Sequence, residues 1–258
     1  MTTSTTGPFL ELKGIQKRFG GVTALRGVHL DLNRGEVVAL VGDNGAGKST
    51  LIKTIAGALR ADAGEFYVDG RRVALGSPQA ATELGIATVY QDLALCENLD
   101  VVANLFLGGE LGQRPLFGPL RRLRESQMER RARETLTELG ANIPNIRRPV
   151  AGLSGGQRQA IAVGRALLWG SKLVILDEPT AALGVKQTGQ VLELVRVLAD
   201  RGQAVLFISH SLPDVFAVAD RIVVLRLGAN AGTFVPSETS ANQIVAAMTG
   251  GSTLAGAA

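Results

Sequence analysis

From Phe9 to Leu32 apolar and polar residues alternate, and "FLELKG" and "GVHLDL" read as strands with one face buried. "EFYVDGRRVAL" repeats the pattern on either side of Asp69-Gly70, a hairpin turn pair, so these pieces predict a small antiparallel layer. Four other runs are apolar throughout: "EVVALV", ending at Gly42, "ATVY" at Gln91, "KLVILD" at Asp177-Glu178, and "AVLFIS" at His210. Runs of that kind suit strands covered on both faces of a parallel sheet. Each ends in a polar or glycine-rich residue, at the strand end where open parallel sheets bind ligands. One shared site accounts for all four. "LIKTIAGAL", after the first run, reads as a helix.

Between Asp92 and Ala160 the pattern turns helical. "RRLRESQMERRARETLTELG" sets Arg121/Glu125, Glu129/Arg133 and Arg130/Glu134 four residues apart, the spacing of a solvated helix face. The expected organisation is a sheet core from 8–91 and 161–249, a helical insertion from 92–160, and flexible termini at 1–7 and 250–258.

The stretch "GDNGAGKST" matches G-x-x-x-x-G-K-[ST] across Gly42, Asp43, Asn44, Gly45, Ala46, Gly47, Lys48, Ser49 and Thr50. Glycines let successive N–H groups turn toward phosphate oxygens, and the helix start adds partial positive charge. Lys48 would reach the β- and γ-phosphates and Ser49 would ligate Mg²⁺. Asp177 would hold that Mg²⁺ through water, while Glu178 would polarise an attacking water. An Asp-Glu pair alone is a common helix cap; beside a P-loop it points to phosphoryl transfer. The fold class is therefore α/β: a P-loop NTPase (RecA-like) with a mostly parallel sheet, an antiparallel layer and an inserted helical subdomain.

A second glycine-rich helix start, "LSGGQRQ" at Leu153–Gln159, has no lysine. Ser154 and Gln157 stand at capping-box spacing, and Gly155 and Gly156 would leave the helix N-terminus open to a γ-phosphate. In this order, the P-loop, "LSGGQRQ", "LVILDEPT" and His210 resemble the ATP-binding subunits of ABC transporters over nearly the whole chain. The resemblance implies that Ser154, Gly155, Gly156 and Gln157 bind the ATP held by an opposite subunit, whose P-loop supplies the lysine. It implies a head-to-tail dimer with two ATPs at its interface. Gln91 is then the residue that senses Mg²⁺ and attacking water and faces a transmembrane partner. His210 contacts the γ-phosphate. Phe19 sits where the family stacks an aromatic, more often tyrosine, on adenine; a buried loop phenylalanine is the other reading. Gly184 stands where the family has an aspartate, in a loop linking the two ATP sites.

"TVYQDLALCENLDVVANLFLG" (Thr88 to Gly108) and "EPTAALGVKQ" are similar to the ATPases of bacterial monosaccharide importers of the ribose, xylose and fructose type. That similarity implies ATP hydrolysis driving a membrane permease, served indirectly by a periplasmic sugar-binding protein. The working unit would be a homodimer at the cytoplasmic face of the inner membrane. The alternative is a soluble ABC-type ATPase acting on ribosomes or DNA, supported by Arg121–Arg133 and the net charge of +4. It lacks the fused second ATPase unit and charged linker usual there, so no specific nucleic-acid partner is expected. A monomeric P-loop kinase would leave "LSGGQ" unexplained.

Composition adds limits. With 46% hydrophobic and 19% charged residues the chain is not a disordered one. One cysteine, Cys96, and two histidines provide neither an internal disulfide nor a metal cluster. His29, on the antiparallel layer, reads as structural. "MTTSTTGP" has neither the basic start nor the apolar run of a secretion leader, and no apolar stretch has bilayer-spanning length.

Overall fold

The computed structural model describes residues 7–112 and 123–251. The chain opens with strands β1 (Leu10–Phe19), β2 (Val22–Leu32) and β3 (Val37–Val41), then helix α1 (Lys48–Ile55). Strands β4 (Ala63–Val68) and β5 (Arg71–Val73) precede α2 (Pro78–Glu83) and β6 (Ile86–Val89). Helices α3 (Val101–Phe106), α4 (Glu125–Glu138) and α5 (Gly155–Leu168) lead to β7 (Leu173–Asp177) and α6 (Val185–Asp200). The rest is β8 (Ala204–Ile208), α7 (Leu212–Val218), β9 (Arg221–Arg226), β10 (Ala229–Phe234) and α8 (Ala241–Thr249).

Two sheets result. The larger runs β10-β9-β3-β8-β7-β6, parallel except for the antiparallel β10. The smaller is β2-β1-β4-β5, antiparallel throughout, with Asp69 and Gly70 both at positive φ in the expected hairpin turn. The fully apolar runs divide their side chains strictly. Val38, Leu40, Ile175 and Leu206 enter the core shared with the antiparallel layer and α1. Val37, Ala39, Val174 and Phe207 enter the core covered by α6, α7 and α8. Burial on both faces removes the selective pressure for alternation, which explains the continuous runs.

The parallel sheet also contains β9, whose run Ile222–Leu225 falls outside the four read from the sequence. It pairs with β3 and turns into β10 through Leu227-Gly228 rather than ending at a phosphate-type loop. Neither the strand nor its place beside β3 was among the readings from the sequence.

A third core lies among α3, α4 and α5. The buried stripe Met128, Ala132 and Leu136 recurs every four residues along α4, one face of a helix. α5 serves two cores, Ile161 facing this one and Ala162 and Val163 the sheet's, so the helix runs across residue 160 without a break. Of the expected pairs on α4, Arg130 and Glu134 meet at 3.9 Å. Glu129 turns to Arg147 rather than to Arg133, and Arg147 also pairs with Glu125 and reaches Asp100 at 3.2 Å. Arg121 and the ends at 1–6 and 252–258 lie outside the described residues.

Candidate functional site

The glycine-rich loop leaves β3 at Gly42, where a Cβ would collide with the Leu225 carbonyl of β9. It enters α1 at Gly47, φ 105°, where a Cβ would stand 2.8 Å from the Ala24 carbonyl of β2. The two ends of the loop are thus pressed against the two sheets, which leaves room for bare backbone alone at Gly42 and Gly47. Two bonds lock it there: Gly228 N to the Ala46 carbonyl, 3.0 Å, and Arg26 N to the Gly228 carbonyl, 2.7 Å. No side chain caps α1, so its first N–H groups are left for a ligand. Lys48 Nζ donates to the carbonyls of Gly42 (2.6 Å) and Asp43 (3.1 Å), curling over its own loop. Asp43, Asn44, Gly45 and Ser49 are exposed, Thr50 half-buried, and Ala46 buried.

Asp177 ends β7, half-buried. Burial pushes its carboxyl pKa up and the charge of Glu178 adds to that, against a weaker pull down from Lys48 and Lys53. Glu178 follows with φ 50°, its backbone N donating to the Ile208 carbonyl at 3.0 Å. Its carboxylate lies 2.7 Å from His210 Nδ1. Nδ1 is thus engaged by the carboxylate, and Nε2 is left free to face a ligand. The backbone on either side of His210 is fixed by buried Ser209, which accepts from Ser211 N at 3.0 Å, and nearby Thr180 Oγ1 donates to Asp214 at 2.8 Å.

At the second glycine-rich helix start the capping box is formed. Gln157 N donates to Ser154 Oγ (3.3 Å) and Ser154 N to Gln157 Oε1 (3.1 Å). Ser154 is exposed, but Gly156 is buried. A Cβ on Gly155 would meet Leu183 at 2.5 Å and one on Gly156 would meet Gln190 at 3.1 Å. The glycine pair therefore also admits the turn after β7 and the first turns of α6 of the same chain, a role its spacing did not reveal. Gln91, exposed beyond β6, shares one cleft with Glu178, Gly155, Arg158, Gln159 and Leu183. The P-loop and Phe19 do not line that cleft.

Phe19 is half exposed at the tip of the β1–β2 hairpin, with Lys17 Nζ 5.6 Å from its ring, so it is not a buried loop residue. His29 is an exposed strand residue whose backbone is bracketed by the Asn230 amide. Gly184 caps α6 from its N-terminal side, with open space around it. Sequence reasoning missed Gly228, Ala24 and the Thr180–Asp214 link. Only the tight turn at Leu227-Gly228 gave any hint of them.

A central parallel sheet, a glycine loop opening a helix at the end of β3, and a carboxylate pair at the end of β7 define a P-loop NTPase. The chain belongs to the ABC transporter family, whose pattern matches residues 25–181. It is 48% identical to the fructose import ATP-binding protein FrcA of Rhizobium meliloti, over 94% of both chains. It is 45% identical to the xylose/arabinose import ATP-binding protein XylG of Sulfolobus acidocaldarius, over 93% of both. The ribose import ATP-binding protein RbsA of Yersinia pestis is 39% identical, over 94% of this chain and 46% of its own length. Among solved structures, the ADP conformation of MJ1267, an ATP-binding cassette of an ABC transporter, superposes with a TM-score of 0.79. It is 28% identical, over 95% of this chain and 96% of that one. The protein is an ATP-binding ATPase subunit of the ABC class.

Proposed function

We propose that this ATPase drives a bacterial monosaccharide importer, working as a head-to-tail pair of identical subunits on a membrane permease. The observation that carries the reading is the end-to-end match with two sugar-import ATPases, FrcA and XylG. No helix among the described residues is long and apolar enough to cross a membrane, so contact with the bilayer would come through the permease at its cytoplasmic face.

In this reading the loop amides from Gly42 to Thr50 and the Lys48 ammonium hold the β- and γ-phosphates, and Phe19 stacks on adenine. Lys48 exchanges its two carbonyl partners for phosphate oxygens. Ser154, Gly155, Gly156 and Gln157 of the opposite copy close over the γ-phosphate. Glu178 takes the proton of the attacking water as the new phosphorus–oxygen bond forms and the bond to ADP breaks. His210, fixed by Glu178 through Nδ1, turns Nε2 toward the transferred group. Ser49, Asp177 and Gln91 offer a hydroxyl, a carboxylate and an amide, an all-oxygen set that fits Mg²⁺ sharing phosphate oxygens and water. A divalent cation would also relieve the burial that raises Asp177. When bound, Mg²⁺ neutralises charge developing on the phosphates.

The permease-facing surface continues from Gln91 into a groove rimmed by Tyr90, Leu107 and Trp169, all partly exposed. Half-buried Arg165 lies in it, donating to the Ala94 carbonyl at 3.3 Å. A helical permease segment carrying a carboxylate fits that lining. The test is gentle solubilisation of host membranes with the tagged protein as bait. A multi-span permease with a sugar-binding protein is the expected catch; ribosomes, DNA or no membrane protein would sink the transport reading.

A further inference from the structure

The loop beyond Gln91 is fastened to α5 and to the segment that leads into it. Val150 N donates to the Leu99 carbonyl and Ala151 N to the Glu97 carbonyl, each at 3.0 Å. Arg158 pairs with Glu97 at 3.0 Å, and Arg165 reaches Ala94. Residues 94–100 and α5 are therefore tied into one body.

Within this body lies a side chain that no motif claims. Asn104, in α3, is wholly buried, and its entire amide is spent on one turn. Oδ1 accepts from Cys96 N at 2.8 Å. Nδ2 donates to the carbonyls of Cys96 (2.9 Å), Asp100 (3.0 Å) and Leu99 (3.3 Å). Its neighbours on α3, Val101, Val102, Leu105 and Phe106, are all buried and apolar, so packing alone does not call for an amide here. A buried polar group is retained at a cost unless its bonds shape the backbone around it.

We infer that Asn104 is a positioning residue for the ATPase reaction, stiffening the Cys96–Asp100 turn so that displacement at Gln91 is delivered to the start of α5, where Ser154 and Gly155 stand. The inference rests on the roles proposed above for Gln91 and the signature residues. A loose turn would absorb the displacement; one braced by four bonds passes it on.

Trp169, the single tryptophan, caps α5 at its C-terminal end and is 45% exposed, which makes it an internal reporter. The experiment titrates ATP into the isolated protein, in a Glu178→Gln background that prevents turnover, reading direct binding and Trp169 fluorescence together. In Asn104→Ala the ATP affinity stays within about threefold while the Trp169 response falls at least about fivefold; with Glu178 restored, kcat drops about tenfold at unchanged KM. In Asn104→Asp an ionised carboxylate faces three carbonyls, whereas a protonated one donates again. Response and kcat, each taken as a ratio to the parent protein at the same pH, therefore recover as pH falls.

Glu97→Arg changes a side chain that is 65% exposed and meets α5 through Arg158. It cuts the response in the same way, whereas Glu97→Gln, which keeps an oxygen for Arg158, retains most of it. A full response in folded Asn104→Ala or in Glu97→Arg overturns the inference, as does ATP affinity lost in step with the response. If Asn104→Ala fails to fold, Glu97→Arg decides. A parent protein whose Trp169 ignores ATP also overturns it, yet leaves the transport reading intact, since that reading is judged by co-purification.

Discussion

Glu178 accepts a 2.7 Å hydrogen bond from His210 across the ends of two neighbouring strands, β7 and β8. The contact is made within one chain. It fixes the imidazole through Nδ1 and leaves the second carboxylate oxygen unengaged.

Glu178→Gln keeps an oxygen for His210 but loses the proton acceptor. Hydrolysis should fall by about 10²–10⁴-fold, the usual worth of a positioned general base, with ATP binding retained. Phosphate release and nucleotide binding, measured side by side, check this; equal turnover in both proteins would remove Glu178 from the chemistry.

Gly42→Ala drives a methyl into the Leu225 carbonyl, backbone that cannot rotate aside. The expected loss is about 1–3 kcal/mol of stability, the range for overpacking, with ATP binding lost as the loop is displaced. Denaturant unfolding and nucleotide titration read the two effects separately.

Gly184→Asp acts in the opposite direction. Nothing lies within 4 Å of a Cβ there, and α6 has no acidic residue in its first turn and no side-chain cap. An aspartate should add a few tenths to about 1 kcal/mol through capping and the helix dipole. The midpoint of urea unfolding should rise with m unchanged. If stability falls, the loop is more constrained than its open surroundings indicate.

Asp177→Asn tests the raised carboxyl. Because its folded pKa exceeds the unfolded one, ionising Asp177 destabilises the nucleotide-free fold. That cost is absent below the ordinary carboxylate pKa and grows as pH rises toward the raised value. The amide variant is thus expected to melt higher at neutral pH, the difference vanishing in acid, while hydrolysis is lost. Melting curves from pH 3 to pH 8 (roughly the range that brackets a carboxylate) show it; a variant less stable at pH 7 would contradict the burial argument.

Much of the site could be read from the sequence because its chemistry is local. Gly42 to Thr50, Asp177-Glu178 and the Ser154/Gln157 box depend on neighbours a few residues away, and the capping box formed as its spacing required. The hairpin at Asp69-Gly70 was legible for the same reason. What escaped depends on distant partners. Arg147 draws Glu129 away from Arg133, its helical neighbour, and only the fold brings it there. The backbone contacts of Ala24 and Gly228 with the P-loop carry no side-chain signature. Asn104 looked like one more residue of a helix, since its bonds go to backbone groups.

The topology has a consequence for the order of synthesis. Strand β3, which carries the P-loop, pairs only with β8 and β9, both drawn from the last quarter of the chain. A nascent chain that has made residues 37–50 holds the complete phosphate-binding sequence but no neighbouring strand to shape it. Such long-range pairing is slow to close. Until about residue 228 has emerged, translation yields a nucleotide motif without a nucleotide site, so a truncated product would neither bind nor waste ATP.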